Sequence, residues 1–182
     1  VGKTTVAKKV ARKLNAKYFS IDEILAKNKL DHVGGRCIPL ENFVKGNEIV
    51  LKQAKSLLKQ GKSIVFDGNF YHKGHITHLV RNLRVPHKVF TLKAPLAVCI
   101  KRDAKRKGSY GKYPVIAVYN LVNNTKYGKT INTNKKTSEQ IVKEIVDDVL
   151  FAIRTENALK RYEQGKFKSM SSEEFLKELE KC

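Results

Sequence analysis

The stretch that decides the fold is Val1-Gly2-Lys3-Thr4-Thr5, which is followed by apolar residues at helical spacing. A glycine lets the backbone approach phosphate oxygens closely, and the next lysine and threonine reach the β/γ-phosphates and Mg²⁺. The start of the following helix adds N–H groups that attract an anion. The stretch matches the second half of the Walker A pattern G-x-x-x-x-G-K-S/T. It predicts that Gly2, Lys3, Thr4 and Thr5 bind a nucleotide and that Thr4 binds the metal ion.

The sequence contains neither the first glycines of that pattern nor a strand before it, and its first residue is not methionine. We therefore interpret the chain as a fragment, and we expect a molecule that truly began at Val1 to have impaired activity. No apolar run approaches the roughly 18 residues that span a membrane, and no secretory leader is visible. We predict a cytoplasmic protein without membrane contact. Cys37, Cys99 and Cys182 are widely spaced and odd in number, which argues against a disulfide framework or a zinc site.

Short apolar, β-rich segments alternate with helical patterns along the chain. Strands are predicted at 18–19, 63–67, 89–92 and, weakly, at 130–131. Longer helices are predicted at 40–60, 74–83, 115–123 and 138–162. This alternation predicts an α/β fold, with a parallel sheet that helices cover on both faces.

Positive charge is concentrated in the first three quarters of the chain. The whole chain has a net charge of +20, and residues 1–138 hold 29 Lys and Arg against 7 Asp and Glu. Such a field favours polyanionic partners, namely nucleotides, phosphorylated metabolites or RNA. The alternative is a lysine-rich composition with no specific partner.

Two acids follow predicted strands. Asp67 ends the strand at 63–67, and an acid at the carboxyl end of a parallel strand faces the ligand crevice, where it would hold Mg²⁺. The alternative is that Asp67 caps the next turn. Asn69 and Tyr71 would then project toward the acceptor.

Asp22 follows the strand at 18–19 and is a candidate base or orienting group for an acceptor hydroxyl. The alternative is that Asp22 only favours the dipole of its helix.

A basic segment follows the predicted strand at 89–92. Arg102 and Arg106 are four residues apart, which predicts that they share a helix face and stabilise a transferring phosphoryl group. Gly108 and Gly111 would let residues 101–114 close as a lid. A solvated basic face is the alternative.

Arg36 lies in a Gly-Gly-Arg turn and would bind a substrate anion, unless it is an ordinary exposed loop arginine. The histidines His72, His75 and His78 recur every three residues, and no acid or cysteine completes an obvious metal-ligand set with them. We interpret them as basic surface or acceptor contacts.

The C-terminal residues form a separate tail. Gln164-Gly165-Lys166 breaks the long helix, so we divide the chain into a domain at 1–163 and a tail at 164–182. A capping box at Ser171 to Glu174 precedes a short amphipathic helix with Phe175, Leu176 and Leu179 on one face. This helix either docks on the domain or binds a partner.

The chain resembles P-loop kinases of the group that includes adenylylsulfate kinases, polynucleotide kinases and zeta-toxin-like kinases. The resemblance covers roughly residues 1–150 and is carried by Gly2-Lys3-Thr4-Thr5, Ser20-Ile21-Asp22, Val65-Phe66-Asp67-Gly68-Asn69 and the segment 93–103. It implies a sheet of five parallel strands with the first one missing. It also implies ATP, Mg²⁺ and transfer of the γ-phosphoryl group to a hydroxyl, with an arginine-bearing lid.

By position, the resemblance gives Lys3 and Thr4 the nucleotide and metal roles, Asp22 the acceptor side, and Arg102 and Arg106 the lid. The segment 133–135, with Asn134, would lie beside the adenine. The chain departs from adenylylsulfate kinases at residues 23–25, 70–73 and 132, so the acceptor is not assigned.

Three functions are consistent with the sequence. The first is an ATP-dependent kinase acting on an anionic small metabolite or nucleotide. The second is a kinase of RNA or DNA ends, which the positive charge favours. The third is a nucleotide-binding regulatory or toxin–antitoxin component that uses the C-terminal helix.

Overall fold

The computed structural model describes residues 2–32, 34, 37–123, 127–166 and 171–173. In chain order the elements are α1 (Lys3–Lys13), β1 (Lys17–Ser20), α2 (Ile21–Lys27), α3 (Leu40–Lys59), β2 (Ile64–Asp67), α4 (Lys73–Leu83), β3 (Phe90–Lys93), α5 (Leu96–Ala104), α6 (Lys112–Asn123), β4 (Lys129–Asn132) and α7 (Ser138–Glu163). All four predicted strands are present within one or two residues of their expected bounds.

The strands form two parallel pairs. β1 pairs with β2 in the register Ser20 opposite Asp67, and β3 pairs with β4 in the register Leu92 opposite Ile131. Both pairings are parallel and each is connected through helices, which confirms the predicted α/β class. Across the described ranges, no ladder hydrogen bonds join one pair to the other. The strand expected before Val1 stays a prediction.

The helices begin where the sequence supplies caps. The Ser20 hydroxyl accepts the Glu23 N–H at 3.2 Å at the start of α2. At the start of α7, Thr137 Oγ1 accepts the Gln140 N–H at 3.2 Å, and Gln140 Oε1 accepts the Thr137 N–H at 2.8 Å. Ser20 therefore caps α2, and Thr137 with Gln140 forms a reciprocal capping box on α7, so that N–H groups at both helix starts are satisfied.

The hydrophobic core lies around β1 and β2. One cluster is formed by Phe19, Val50 and Ala54, and another by Ile21, Leu25 and Phe43. Both clusters join β1 and α2 to α3, so α3 covers one side of this strand pair. The start of α2 is therefore held firmly beside the ends of β1 and β2.

The chain divides into two compact units, Val1–Val146 and Asp147–Cys182, with the division inside α7. The predicted boundary at 163/164 stays a prediction. Arg36 and the helix predicted around Phe175, Leu176 and Leu179 lie outside the described residues. Among the helices that the structure describes, none is long and apolar enough to cross a membrane.

Candidate functional site

The carboxyl ends of β1 and β2 form one edge of the strand pair. Ser20 and Asp67 are opposite each other in the parallel register, so the residues that follow them leave the sheet on the same side. Asp22 lies in the first turn of α2, and Gly68 and Asn69 follow β2. In parallel sheets ligands bind outside the carboxyl ends of the strands.

The N-terminus of α1 carries the predicted phosphate-binding residues. Gly2 caps the helix with φ +82°, a left-handed conformation that a side chain disfavours, and no side-chain hydrogen bond closes this end. Lys3 is half-buried, whereas Thr4 and Thr5 are exposed. The first turn contains no acid, so its N–H groups and the helix dipole suit an anion.

Asp22 connects the loop after β2 with the charged residues around it. Its Oδ1 accepts the Asn69 N–H at 3.4 Å. The protein packed around this carboxyl raises its pKa, while attraction to Lys3, the Asn69 N–H and Arg106 lowers it, and repulsion from Asp67 raises it further. The net pKa is raised. Asp22 therefore lies within electrostatic range of Lys3, Asp67 and Arg106, and it binds the Asn69 N–H directly.

Gly68 allows the loop after β2 to approach the first turn of α2 closely. A Cβ placed on Gly68 would lie 2.9 Å from Ile21 Cβ, closer than two such atoms come in proteins. The loop after β2 can therefore lie directly on the first turn of α2, where the Asn69 N–H reaches Asp22.

Asp67 is the buried acid of the site. Only 7% of its surface is exposed, and its Oδ2 accepts a hydrogen bond from Tyr18 Oη at 3.0 Å. Burial and the Asp67 charge together raise the pKa of Tyr18 to about 12, so the phenol stays a donor. Tyr18 was not among the site residues predicted from the sequence. The available signal was its place two residues before Ser20 on the same strand face.

The structure separates the two arginines of the predicted lid. α5 ends at Ala104, so Arg106 lies in the turn beyond the helix and does not share a helix face with Arg102. The prediction of a shared face is wrong, because the i, i+4 relation holds only while the helix continues. Arg102 Nη1 and Nη2 instead donate to Oγ1 and the carbonyl oxygen of Thr133, both at 3.0 Å.

Arg106 is about half-exposed and lies beside Asp103 and Tyr110. Its Nη1 lies 3.9 Å from Asp103 Oδ1, and its guanidinium carbon lies 4.7 Å from the centre of the Tyr110 ring. Attraction to Arg106 is the smallest of the influences that lower the pKa of Asp22. Arg106 is therefore the more exposed of the two arginines, since Arg102 is partly buried and bound to Thr133.

Asn134 follows β4 in an exposed turn. Its N–H donates to Asn132 Oδ1 at 2.9 Å, and the preceding residue, Thr133, is fully buried. This contact is local to the turn, and the predicted role of Asn134 beside the adenine stays a prediction.

His75 is buried, and its interpretation as a surface or acceptor contact is wrong. The ring is 0% exposed and lies between Phe43 and Phe70, with centroid distances of 4.6 and 4.4 Å. Its Nε2 donates to Asn47 Oδ1 at 2.8 Å, if the ring is taken in the tautomer that this acceptor requires. Burial, followed by repulsion from His72 and His78, lowers its pKa to about 3. The His75 ring packs as a flat, neutral group between two aromatic rings of the core. The spacing of the three histidines does not indicate which of them is buried.

The sequence of residues 1–119 matches the model of a protein family described as the AAA domain. The chain belongs to this family. No curated protein matches the sequence of this AAA domain chain.

Solved structures share the fold of this AAA domain chain. A sugar kinase from Janibacter sp. HTCC2649 has a TM-score of 0.62 and 17% identity, over 80% of this chain and 86% of that chain. A gluconokinase from Sinorhizobium meliloti 1021 has a TM-score of 0.61 and 11% identity, over 83% of this chain and 90% of that chain. The tunicamycin resistance protein of Deinococcus radiodurans has a TM-score of 0.53 and 15% identity, over 78% of this chain and 89% of that chain. The fold and the family together confirm the resemblance to P-loop kinases.

Proposed function

We propose that this protein is an ATP-dependent phosphotransferase that moves the γ-phosphoryl group of ATP to a hydroxyl of an anionic small metabolite or nucleotide. The observation that carries the proposal is the environment of Asp22, an acid acted on by Lys3, Arg106 and the Asn69 N–H at the edge of a parallel strand pair. The sugar kinase and gluconokinase folds support the same class of reaction.

The phosphate side of the site is the N-terminus of α1. In our proposal Gly2, Thr4 and Thr5 present N–H groups to the β- and γ-phosphates, and Lys3 neutralises charge that develops during transfer. Asn134 and the turn after β4 would lie beside the base. Arg106 would approach the γ-phosphoryl group from the lid, and Arg102 would hold the turn after β4 through Thr133.

Thr4 and Asp67 are the candidate ligands for Mg²⁺. The buried carboxylate of Asp67, oriented by Tyr18 Oη, and the exposed hydroxyl of Thr4 are the hard oxygen donors that Mg²⁺ prefers. Within the described ranges, no cluster of three or more His, Cys, Asp or Glu residues could hold a metal ion. Two protein oxygen donors leave coordination positions for phosphate and water oxygens, as is usual for Mg²⁺, and such an ion would neutralise phosphate charge.

Asp22 is the residue that we place on the acceptor side. The acceptor hydroxyl oxygen forms a bond to the γ-phosphorus as the bond from that phosphorus to the ADP oxygen breaks, and the hydroxyl proton is released. The raised pKa of Asp22 makes its carboxylate a better proton acceptor, although phosphoryl transfer depends mainly on orientation. Asn69 and Arg36 would bind the anionic acceptor.

A transfer screen tests this proposal. The full-length protein is incubated with γ-labelled ATP, Mg²⁺ and one acceptor at a time, drawn from nucleosides, adenylylsulfate, sugars, sugar acids and RNA ends. We expect label on one acceptor class, and no label when Lys3 is replaced by alanine. Absence of transfer to every class, with ATP binding intact, would contradict the proposal.

A kinase of nucleic-acid ends is the second candidate, and the surface of the lid favours it. Tyr113 and Tyr110 are 84% and 68% exposed, and they lie among exposed Lys101, Lys105, Lys107 and Lys112. Aromatic rings stack on bases and lysines bind phosphates in single-strand binding proteins. If this candidate is right, acceptor affinity falls steeply with salt, because several phosphates release counterions together. A flat salt profile for every transferred acceptor would exclude it.

A further inference from the structure

We propose that Asp103 is a positioning residue that holds Arg106 at the phosphoryl-transfer site by closing the turn of residues 105–111. This inference rests on the proposed function. Asp103 was not among the candidate site residues, and none of the roles proposed above uses it.

One carboxylate oxygen of Asp103 accepts three hydrogen bonds from the end of the turn. Its Oδ2 accepts hydrogen bonds from Ser109 Oγ at 2.6 Å, the Tyr110 N–H at 3.0 Å and the Gly111 N–H at 3.1 Å. Only 9% of the residue is exposed, although the turn itself is exposed. One side chain at the end of α5 therefore fixes backbone positions six to eight residues further along the chain.

Charge repulsion and glycine content oppose closure of this turn. Lys105, Arg106 and Lys107 repel one another, and Gly108 and Gly111 have positive φ values of +75° and +88°. Adjacent cations and glycines favour an open chain, because repulsion and backbone entropy both oppose the compact conformation. The ionised carboxylate of Asp103 opposes both the repulsion and the entropy. The hydrogen bond from Ser109 is the largest influence on the pKa of this carboxyl, and it lowers that pKa.

Asp103 reaches Arg106 by two routes. Its Oδ1 lies 3.9 Å from Arg106 Nη1, which is a direct ion pair. It also binds the N–H of Tyr110, whose ring lies 4.7 Å from the Arg106 guanidinium carbon. Attraction to the same guanidinium lowers the pKa of Asp22, so the role that we propose for Arg106 at the site depends on the turn that Asp103 closes.

The first experiment measures the turn without using activity. Trypsin cleaves after lysine and arginine, and cleavage within a folded turn requires local opening. We expect Asp103→Ala to accelerate cleavage after residues 105–107 by about tenfold or more, while Glu48→Ala, which removes an exposed acid from α3, leaves the rate unchanged. If Asp103→Ala does not fold, Ser109→Ala removes one donor and should accelerate cleavage in the same direction. Equal cleavage rates in the variant and in the wild type would overturn the proposal.

The second experiment is a double-mutant cycle on the transfer reaction. We expect Asp103→Ala to lower kcat about tenfold in the wild-type background and less than twofold in an Arg106→Gln background, because the interaction would already be absent. A full tenfold loss in both backgrounds would show that Asp103 acts independently of Arg106. If wild-type protein transfers no phosphate at all, the proposed function fails, and the cleavage rates still decide whether Asp103 closes the turn.

Discussion

Asp22 is the residue on which most of the charges in the candidate site act. Its pKa is raised because the surrounding protein disfavours the carboxylate more strongly than Lys3, the Asn69 N–H and Arg106 favour it. A folded-state pKa above the unfolded value means that this group destabilises the fold as pH rises above the ordinary value of 3.8. Such a cost is typical of a functional acid.

Replacing Asp22 by asparagine should therefore separate function from stability. We expect transfer to slow by about 10²–10⁴-fold, the usual contribution of a general base, while ATP affinity is retained. At pH 7 the variant should unfold at the same or a higher temperature than the wild type, because the destabilising charge is gone. The measurements are single-turnover transfer, ATP titration and thermal unfolding. Loss of ATP binding would move Asp22 to the nucleotide side.

Lys3 is the residue whose replacement tests the phosphate-binding prediction most directly. We expect Lys3→Ala to lower kcat by at least about 10²-fold, because a positive charge aimed at the transferring group is lost. Lys13→Ala is the matched control, since Lys13 is an exposed lysine in the last turn of the same helix. Normal turnover in Lys3→Ala would refute the assignment of this helix as the phosphate-binding element.

At the scale of elements, α5 and the turn after β4 are joined by one side chain. Arg102 donates two hydrogen bonds to Thr133, which is fully buried, so this link fixes the turn that contains Asn134. The sequence indicated an arginine-rich helix end. It did not indicate that one arginine binds the neighbouring β4 turn and the other lies beyond the helix, since this depends on where α5 ends.

Thr133→Val tests the link. The change keeps the shape of the side chain and removes the acceptor Oγ1, so we expect a loss of about 1–3 kcal/mol in the free energy of unfolding and weaker ATP binding. Thr130→Val is the control, because Thr130 is an exposed threonine of the same strand, β4. Urea unfolding and ATP titration of both variants provide the comparison. Equal stability of the two variants would contradict a structural role for the Arg102–Thr133 contact.

The junction of α3 and α4 has a pH dependence set by His75. Its pKa is lowered from 6.5 to about 3, so the folded state keeps this ring neutral while the unfolded chain binds a proton below pH 6.5. The stabilising contribution is therefore fully present above pH 6.5 and is lost as pH falls toward 3. We expect the free energy of unfolding to be about 2 kcal/mol lower at pH 5 than at pH 7 from this group alone.

Urea unfolding at the two pH values measures this loss. His75→Gln should be less stable than the wild type at pH 7, because the ring between Phe43 and Phe70 is removed, yet its stability should change less between pH 7 and pH 5. His87→Gln reports what an exposed histidine contributes over the same range. An unchanged pH dependence in His75→Gln would show that another group causes the loss.

At the scale of the whole molecule, every described candidate residue lies in the unit Val1–Val146. We therefore expect removal of residues 164–182 to change the transfer rate by less than about twofold, since that removal leaves the candidate residues and both strand pairs in place. A transfer assay and thermal unfolding of the shortened and complete chains provide the test. Loss of transfer on removal would support the regulatory alternative, in which the C-terminal helix takes part in function.

Local patterns in the sequence determined much of this protein. The parallel α/β class, the four described strands, the caps at Ser20 and Thr137 and the glycine at the start of α1 all follow from periodicity, capping chemistry and backbone sterics. The strands, caps and glycine depend on residues that are close together in the chain, and the parallel class follows from the alternation of strands with helices. Local physics is therefore sufficient to predict them.

Tertiary structure alone decided which side chains meet. Tyr18 reaches Asp67 because parallel strands place them at one edge, and His75 is a core ring because α3 and α4 pack around it. Arg102 binds Thr133 whereas Arg106 pairs with Asp103, because α5 ends between the two arginines. These pairings join residues that are distant along the chain or that lie on either side of an element boundary. Burial and charge at such positions arise only once the elements have packed.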